Sequence, residues 1–263
     1  MRRINFKQTG FTLIEVLMVV IVIGIVAAVA IQSMTVSVDD ARRAATMREI
    51  EMLADAIVGN SEISQNGHRS DFGYVGDIGA FPPNLQALYE NPGGYATWNG
   101  PYISPGFIQD SLGFKFDEWG DAYIYGSGVS ISSSGNGNPI NKRIARAISD
   151  YLLNSFTGYI NDDSGDDPDS ALTNSVEILI TIPNGVGGTV TKLYYPDTTG
   201  TFVLDSLPVG THQLRIIYSP VSDTLIKFIT IFPRHKTPQS FRFSANYFTA
   251  IEKFKEWGVS WHA

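Results

Sequence analysis

From Phe11 to Ile31 the chain is apolar with one interruption, Glu15, in a stretch that otherwise carries no charge. At about 1.5 Å per residue such a run makes a helix of roughly 30 Å, one bilayer crossing. Ahead of it, Arg2, Arg3 and Lys7 form a short basic leader. The positive-inside rule keeps such a leader in the cytoplasm and sends the bulk of the chain outward, N-in and C-out. A charged side chain at membrane depth costs about 2.5–3.5 kcal/mol on insertion scales, so Glu15 calls for a function and a partner.

A secretory signal peptide places its small-residue cleavage site after the apolar stretch, whereas here Gly10 stands before it. The run Gly10-Phe11-Thr12-Leu13-Ile14-Glu15 resembles the class III leader of type IV pilins and type II secretion pseudopilins. That resemblance implies cleavage by a prepilin peptidase between Gly10 and Phe11, methylation of the new Phe11 amino terminus, and an assembly role for Glu15. The physical logic agrees with it. The Phe11 ammonium of one subunit and Glu15 of its neighbour would neutralise each other in an apolar filament core, where an unpaired charge is expensive. The plainer alternative is a single-pass anchor with a stray Glu. Gln32 stands where many members of the family carry a helix-bending Pro, which leaves Gly24 as the weak point of the helix.

Beyond Ile31 the helix continues as an amphipathic stem. Met47, Ile50, Leu53, Ala54 and Ile57 recur at three- and four-residue steps, and Gly59-Asn60-Ser61 ends it. The expected division is a leader over 1–10, a membrane and assembly helix over 11–60, and a globular head over 61–160. In the head, Pro82-Pro83-Asn84-Leu85 opens a short helix, Trp98-Asn99-Gly100-Pro101-Tyr102 makes a turn, and Asp117-Glu118-Trp119-Gly120 leads into a strand with Tyr123 and Tyr125 on one face. This order resembles the major pseudopilin of type II secretion over roughly residues 1–135. Members of that family bind calcium in the loop that follows. Here Asn136 and Asn138 stand where carboxylates are expected, which weakens or abolishes such a site and leaves calcium as a candidate cofactor only.

Ile140, Ile144, Ile148 and Leu152 repeat every fourth residue and predict a second amphipathic helix within 139–160. An acidic Gly/Pro run over 161–173 reads as a solvated linker. Its Asp162, Asp163, Asp166 and Asp167 are alternative metal-ligand candidates that miss the spacing of a calcium loop. From residue 174 to 246 the period changes to two. Val176, Ile178, Ile180 and Ile182 alternate, further strands follow at 189–195, 201–205, 211–219, 224–232 and 239–246, and together they predict a β-sandwich. The run Gly200-Thr-Phe-Val-Leu and Leu207-Pro-Val-Gly210 is similar to the core of carboxypeptidase regulatory-like (transthyretin-like) domains, with His212 near where that family favours Tyr. The linker composition predicts that this sandwich folds by itself. An aromatic tail over 247–263 closes the chain, and its spacing predicts packing on its own molecule.

The fold class expected is therefore α+β: a long pilin helix, a small antiparallel-sheet head, and an all-β sandwich. Net charge is −7, and removal of the three leader cations would leave −10, which disfavours nucleic acid as a partner. There is no cysteine, so no disulfide braces an extracytoplasmic head. Zinc-protease, nucleophile-elbow and phosphate-loop motifs are missing, and the four histidines lack ligand spacing, so nothing in the sequence argues for an enzyme. Taken together, the residues and the resemblance imply a structural subunit of a type II secretion-like pseudopilus. Its partners would be prepilin peptidase, other pilin or pseudopilin subunits in a homopolymer or minor-subunit filament, and an inner-membrane assembly platform. It would reside in the inner membrane before assembly and in a periplasmic or extracellular filament after it. A type IV pilus pilin with an adhesive sandwich, and a membrane-anchored binding module, are the alternatives.

Overall fold

The computed structural model describes residues 10–65, 67–103, 113–126, 129–234 and 238–248. Leader residues Arg2, Arg3 and Lys7 and tail residues Ile251, Phe254, Trp257 and Trp261 lie outside them, and so do His235 and His262.

The fold is α+β: one long N-terminal helix, then a mostly antiparallel β structure. Helix α1 runs unbroken from Leu13 to Val58, 46 residues. It passes through Gly24 and Gln32 without interruption, so the expected weak point at Gly24 is not a break. Residues 11–42 expose every side chain, and this part of the helix is long and apolar enough to cross a membrane.

From Glu49 onward the described chain forms one compact unit. Its first core takes the apolar face of the last turns of α1, with Ile50, Leu53 and Ile57 buried as their spacing requires. The helix ends at Gly59, whose φ of +82° and 2.4 Å approach of a hypothetical Cβ to the Asp71 carbonyl oxygen admit no side chain. The Arg69 guanidinium donates to the Val58 and Gly59 carbonyls at 2.7 and 2.9 Å, satisfying acceptors that a helix end leaves open. Around this stem sit a hairpin of β1 (Ser64–Gln65) and β2 (His68–Arg69), helix α2 (Gly73–Ile78), and the sheet β3 (Ile124–Gly126), β4 (Ser130–Ser133) and β5 (Ile140–Arg143) in the order β3-β4-β5. Trp98 donates from Nε1 to the Ala87 carbonyl at 2.9 Å, and Tyr123 donates from its hydroxyl to Glu49 at 2.6 Å, so the turn aromatics are core and not surface.

The helix expected within 139–160 does not form. The segment divides into β5, one short helical turn α3 (Ser149–Leu152), and strand β6 (Asn154–Asn161). Of the four-residue repeat, Ile140 lies in β5 and Leu152 in α3, and the period of two that rules this segment belongs to β6. Asn154, Phe156, Gly158 and Ile160 alternate inward. Gly158 lies so close under the Phe202 ring that a Cβ would stand 2.1 Å from it.

Strand β6 therefore belongs to the sandwich. It pairs antiparallel with β9 (Thr201–Leu207) and parallel with β12 (Gln239–Arg242). The facing sheet is β11 (Asp223–Ile231), β10 (Gly210–Tyr218), β7 (Val176–Pro183) and β8 (Thr189–Tyr194), in that order and antiparallel throughout. Ile178, Ile180, Leu214, Ile216, Phe156, Phe202 and Phe243 fill the space between the sheets.

Head and sandwich are not joined by a loose tether. The Val209 N–H donates to the Tyr151 carbonyl at 2.8 Å, the Gly185 N–H donates to Ile78 at 2.8 Å, and Val209 itself is buried in the head core. The expected independence of the sandwich is thus replaced by a continuous seam. His212, buried beside this seam, donates from Nε2 to the Pro208 carbonyl at 2.8 Å.

Burial lowers the His212 pKa from its ordinary 6.5, and the bond to Pro208 works weakly the other way. The unfolded chain therefore takes up a proton first as pH falls. The stabilising contribution of neutral His212 is full above pH 6.5 and is lost as pH drops toward the folded value. Thermal unfolding followed between about pH 7.5 and 5 should show a falling midpoint, and His212→Gln should flatten that fall.

Candidate functional site

The first turn of α1 is built on a reciprocal contact. The Glu15 N–H donates to Thr12 Oγ1 at 3.3 Å, while the Thr12 N–H and hydroxyl both donate to Glu15 Oε2 at 3.3 Å. This is a capping box, in which Thr at the helix start and Glu three residues later satisfy each other's backbone donors. The Thr-x-x-Glu spacing was readable in the sequence as a helix start, and it gives Glu15 a local role within its own chain. Gly10 and Phe11 lie exposed just ahead of it, and nothing stands within 4 Å of the place where a Gly10 Cβ would be. The peptide bond between them is open to a protease, and the Glu15 carboxylate is held in the adjoining helical turn.

The metal candidates are dispersed. Asn136 lies in the turn between β4 and β5, exposed, with a left-handed φ of +51°. Ser133 Oγ donates to Asp117 Oδ2 at 2.5 Å and Ser134 Oγ donates to Asp121 Oδ2 at 2.5 Å. Asp117 Oδ1 further accepts from the Trp119 and Asp121 N–H groups at 3.0 and 2.9 Å. Protein donors thus occupy these carboxylates. Among the described residues no group of three acidic or imidazole side chains is placed to hold a metal. Calcium wants several oxygen ligands carrying enough negative charge to offset its own, and Asn136 brings an uncharged amide to this loop.

The acidic run after β6 is ordered. Asp162 is fully buried. Its Oδ1 accepts from the Ser164 and Asp166 N–H groups at 2.9 and 3.1 Å, and its Oδ2 accepts from the Phe248 N–H at 2.8 Å. Arg242 donates to the Asp162 and Asp163 carbonyls at 2.9 and 2.6 Å. Asp163 and Asp167 are exposed. The expected linker is therefore a turn that ties the end of β6 to Phe248, because a carboxylate surrounded by backbone donors is better satisfied inside than in water. The Asp162 carboxylate accepts from backbone donors of the chain itself.

A half-buried carboxyl also sits in the head. Tyr102 donates to Asp77 at 2.8 Å, and burial pushes the Asp77 carboxyl up while that hydrogen bond pulls it partly back.

The family described as the prokaryotic N-terminal methylation motif matches residues 5–31. Comparison with curated proteins gives no match. Among solved structures, the dioxygenase domain of a dioxygenase carbohydrate-binding protein fusion from Streptomyces sp. SirexAA-E aligns over 36% of this chain and 81% of its own, at 9% identity and a TM-score of 0.25. BcpA, the major pilin subunit of Bacillus cereus, aligns over 43% of this chain and 36% of its own, at 12% identity and a TM-score of 0.23. Likenesses this faint carry no functional argument. The methylation motif does: it covers Gly10, Phe11 and Glu15, and the N-terminal segment is a type IV pilin-like leader on a membrane-anchoring helix.

Removal of the Asp162 carboxylate would leave three backbone N–H groups without their acceptor. Asp162→Ala should lower stability by about 3 kcal/mol, roughly 6–12 °C in melting temperature for a unit of this size, while Asp162→Asn should lose about half as much. Differential scanning calorimetry of the two variants measures both.

Proposed function

We propose that this chain is a pilin-type filament subunit, cut by prepilin peptidase between Gly10 and Phe11 and assembled through α1. The observation that carries the reading is the methylation motif lying over that junction and over Glu15, at the head of a helix apolar enough to span a membrane. Before assembly the subunit sits in the inner membrane, N-in and C-out. On assembly the apolar half of α1 leaves lipid for the filament core, and the Phe11 ammonium pairs with Glu15 of a neighbouring subunit. The head motifs around Trp98-Asn99-Gly100-Pro101-Tyr102 and Asp117-Glu118-Trp119-Gly120 favour a type II secretion-like pseudopilus, lengthened by subunit addition at an inner-membrane platform so that it pushes exported cargo. The protein's work is then mechanical, and its head is held by internal hydrogen bonds such as those the Asp117 carboxylate accepts, in place of calcium.

Mass spectrometry of protein recovered from filaments should find an N-methylated Phe11 terminus, and an intact Met1 terminus there would refute the processing step. Glu15→Ala should insert in the membrane at least as well as the parent, since a costly charge is gone. Its yield of sheared filaments should nevertheless fall to about a tenth or less, as expected when one member of a buried pair is removed. Undiminished filaments would show that Phe11 needs no such partner.

A further inference from the structure

The outer face of the four-stranded sheet carries more apolar surface than its exposure to water explains. Inward alternation of Ile178, Ile180, Leu214 and Ile216 leaves the intervening side chains pointing out. Register then sets Ile226, Arg215, Leu179 and Leu193 side by side across all four strands, with Ile217 and Glu177 paired in the next row. Ile226 is 54% exposed, Leu193 48%, and Phe228, two residues along β11 from Ile226, is 69% exposed. The apolar side chains form a patch bordered by Gln213, Thr181 and Thr191 in the adjoining outward row, and a contiguous exposed apolar patch with a polar rim marks an interaction site.

The charges within this field say what covers it. Arg215 on β10 and Glu177 on β7 occupy opposite corners of a quartet whose other corners are Leu179 and Ile217. Neither forms an ion pair among the described residues. A face with one cation and one anion so placed is complementary to itself. A two-fold axis along the Leu179–Ile217 diagonal brings Arg215 of each copy toward Glu177 of the other and keeps Leu179 and Ile217 of both copies at the axis. Two sheet faces pack in this way about 10 Å apart. We infer that this face docks a second copy of the same chain, sheet against sheet about that axis. The contact is independent of leader cleavage, so it would persist in a chain whose Gly10–Phe11 bond stays intact.

Because the chain has no cysteine, one introduced thiol reports on self-contact without interference. Ile217→Cys places it beside the axis, and Thr198→Cys places it in an exposed turn as the collision control. The full-length chain in membranes, treated with copper–phenanthroline, should give disulfide-linked dimer with Ile217→Cys at about ten times the control yield, as expected for thiols held at high effective concentration. Adding Arg215→Glu should abolish the excess, and adding Glu177→Arg to that variant should restore it. Three results would overturn the inference: dimer at the control level with the thiol open to maleimide, which means a bare face; no dimer with the thiol protected, which means a different occupant; or a yield insensitive to the charge swap. Should Ile217→Cys not accumulate, Leu179→Cys on the same diagonal reports in its place. The terminal mass of the same preparation reads leader processing separately, so failure of one reading does not pass for failure of the other.

Discussion

Everything from Glu49 onward hangs on the short crossing from the end of β9 to the start of β10. Leu207 is buried in the sandwich core and Val209, two residues later, in the head core. Pro208 between them accepts from His212, and Val209 donates to Tyr151. Two residues apart, the chain thus serves two cores, and Val209 is the strand-flanking residue that the head core takes from the sandwich. Gly210, with φ at +137°, lets the chain turn back into β10 where its backbone passes close to Gly76. This crossing explains why composition alone suggested two separable parts and the fold provides one.

The parts of the chain legible in sequence were those where one period or one motif ruled. A run of 21 residues with a single charge admits no reading but a long apolar helix, and the strict alternation at Val176–Ile182 admits none but a strand. The segment around Ile140–Leu152 was misread because its spacing of four looks helical, although Ile140 lies in β5 and Leu152 in α3. The deciding signal lay further on, in the Asn154, Phe156, Gly158, Ile160 alternation, with Gly158 marking the spot where an aromatic ring crosses the backbone. The Thr12–Glu15 capping box was present in the sequence and was eclipsed by the intermolecular role that the leader suggests for the same carboxylate.

The acidic residues teach a related lesson. Asp162 was a metal candidate in a solvated run and Asp117 a turn residue, and both are buried acceptors for the chain's own N–H and O–H donors. Composition cannot distinguish these cases, because an Asp beside Gly, Ser and Pro reads the same whether its carboxylate faces water, a cation or a ring of peptide groups. What separates them is long-range. Phe248 comes back to Asp162 across 86 residues and Ser133 to Asp117 across 16, and no local window contains either pair. In a protein without disulfides these buried carboxylates act as the stitches between distant segments.

The seam between head and sandwich also sets how the molecule would respond to force. At least two backbone hydrogen bonds, Gly185 to Ile78 and Val209 to Tyr151, bridge it beside the covalent chain, and Phe72 packs against Phe232 across the same seam with ring centroids 6.1 Å apart. A tug on the sheet is therefore shared among parallel attachments and reaches the head without slack. A single flexible leash would first have to be drawn taut, dissipating the stroke as stretch. In the filament subunit proposed above, stiffness at this seam would serve as transmission.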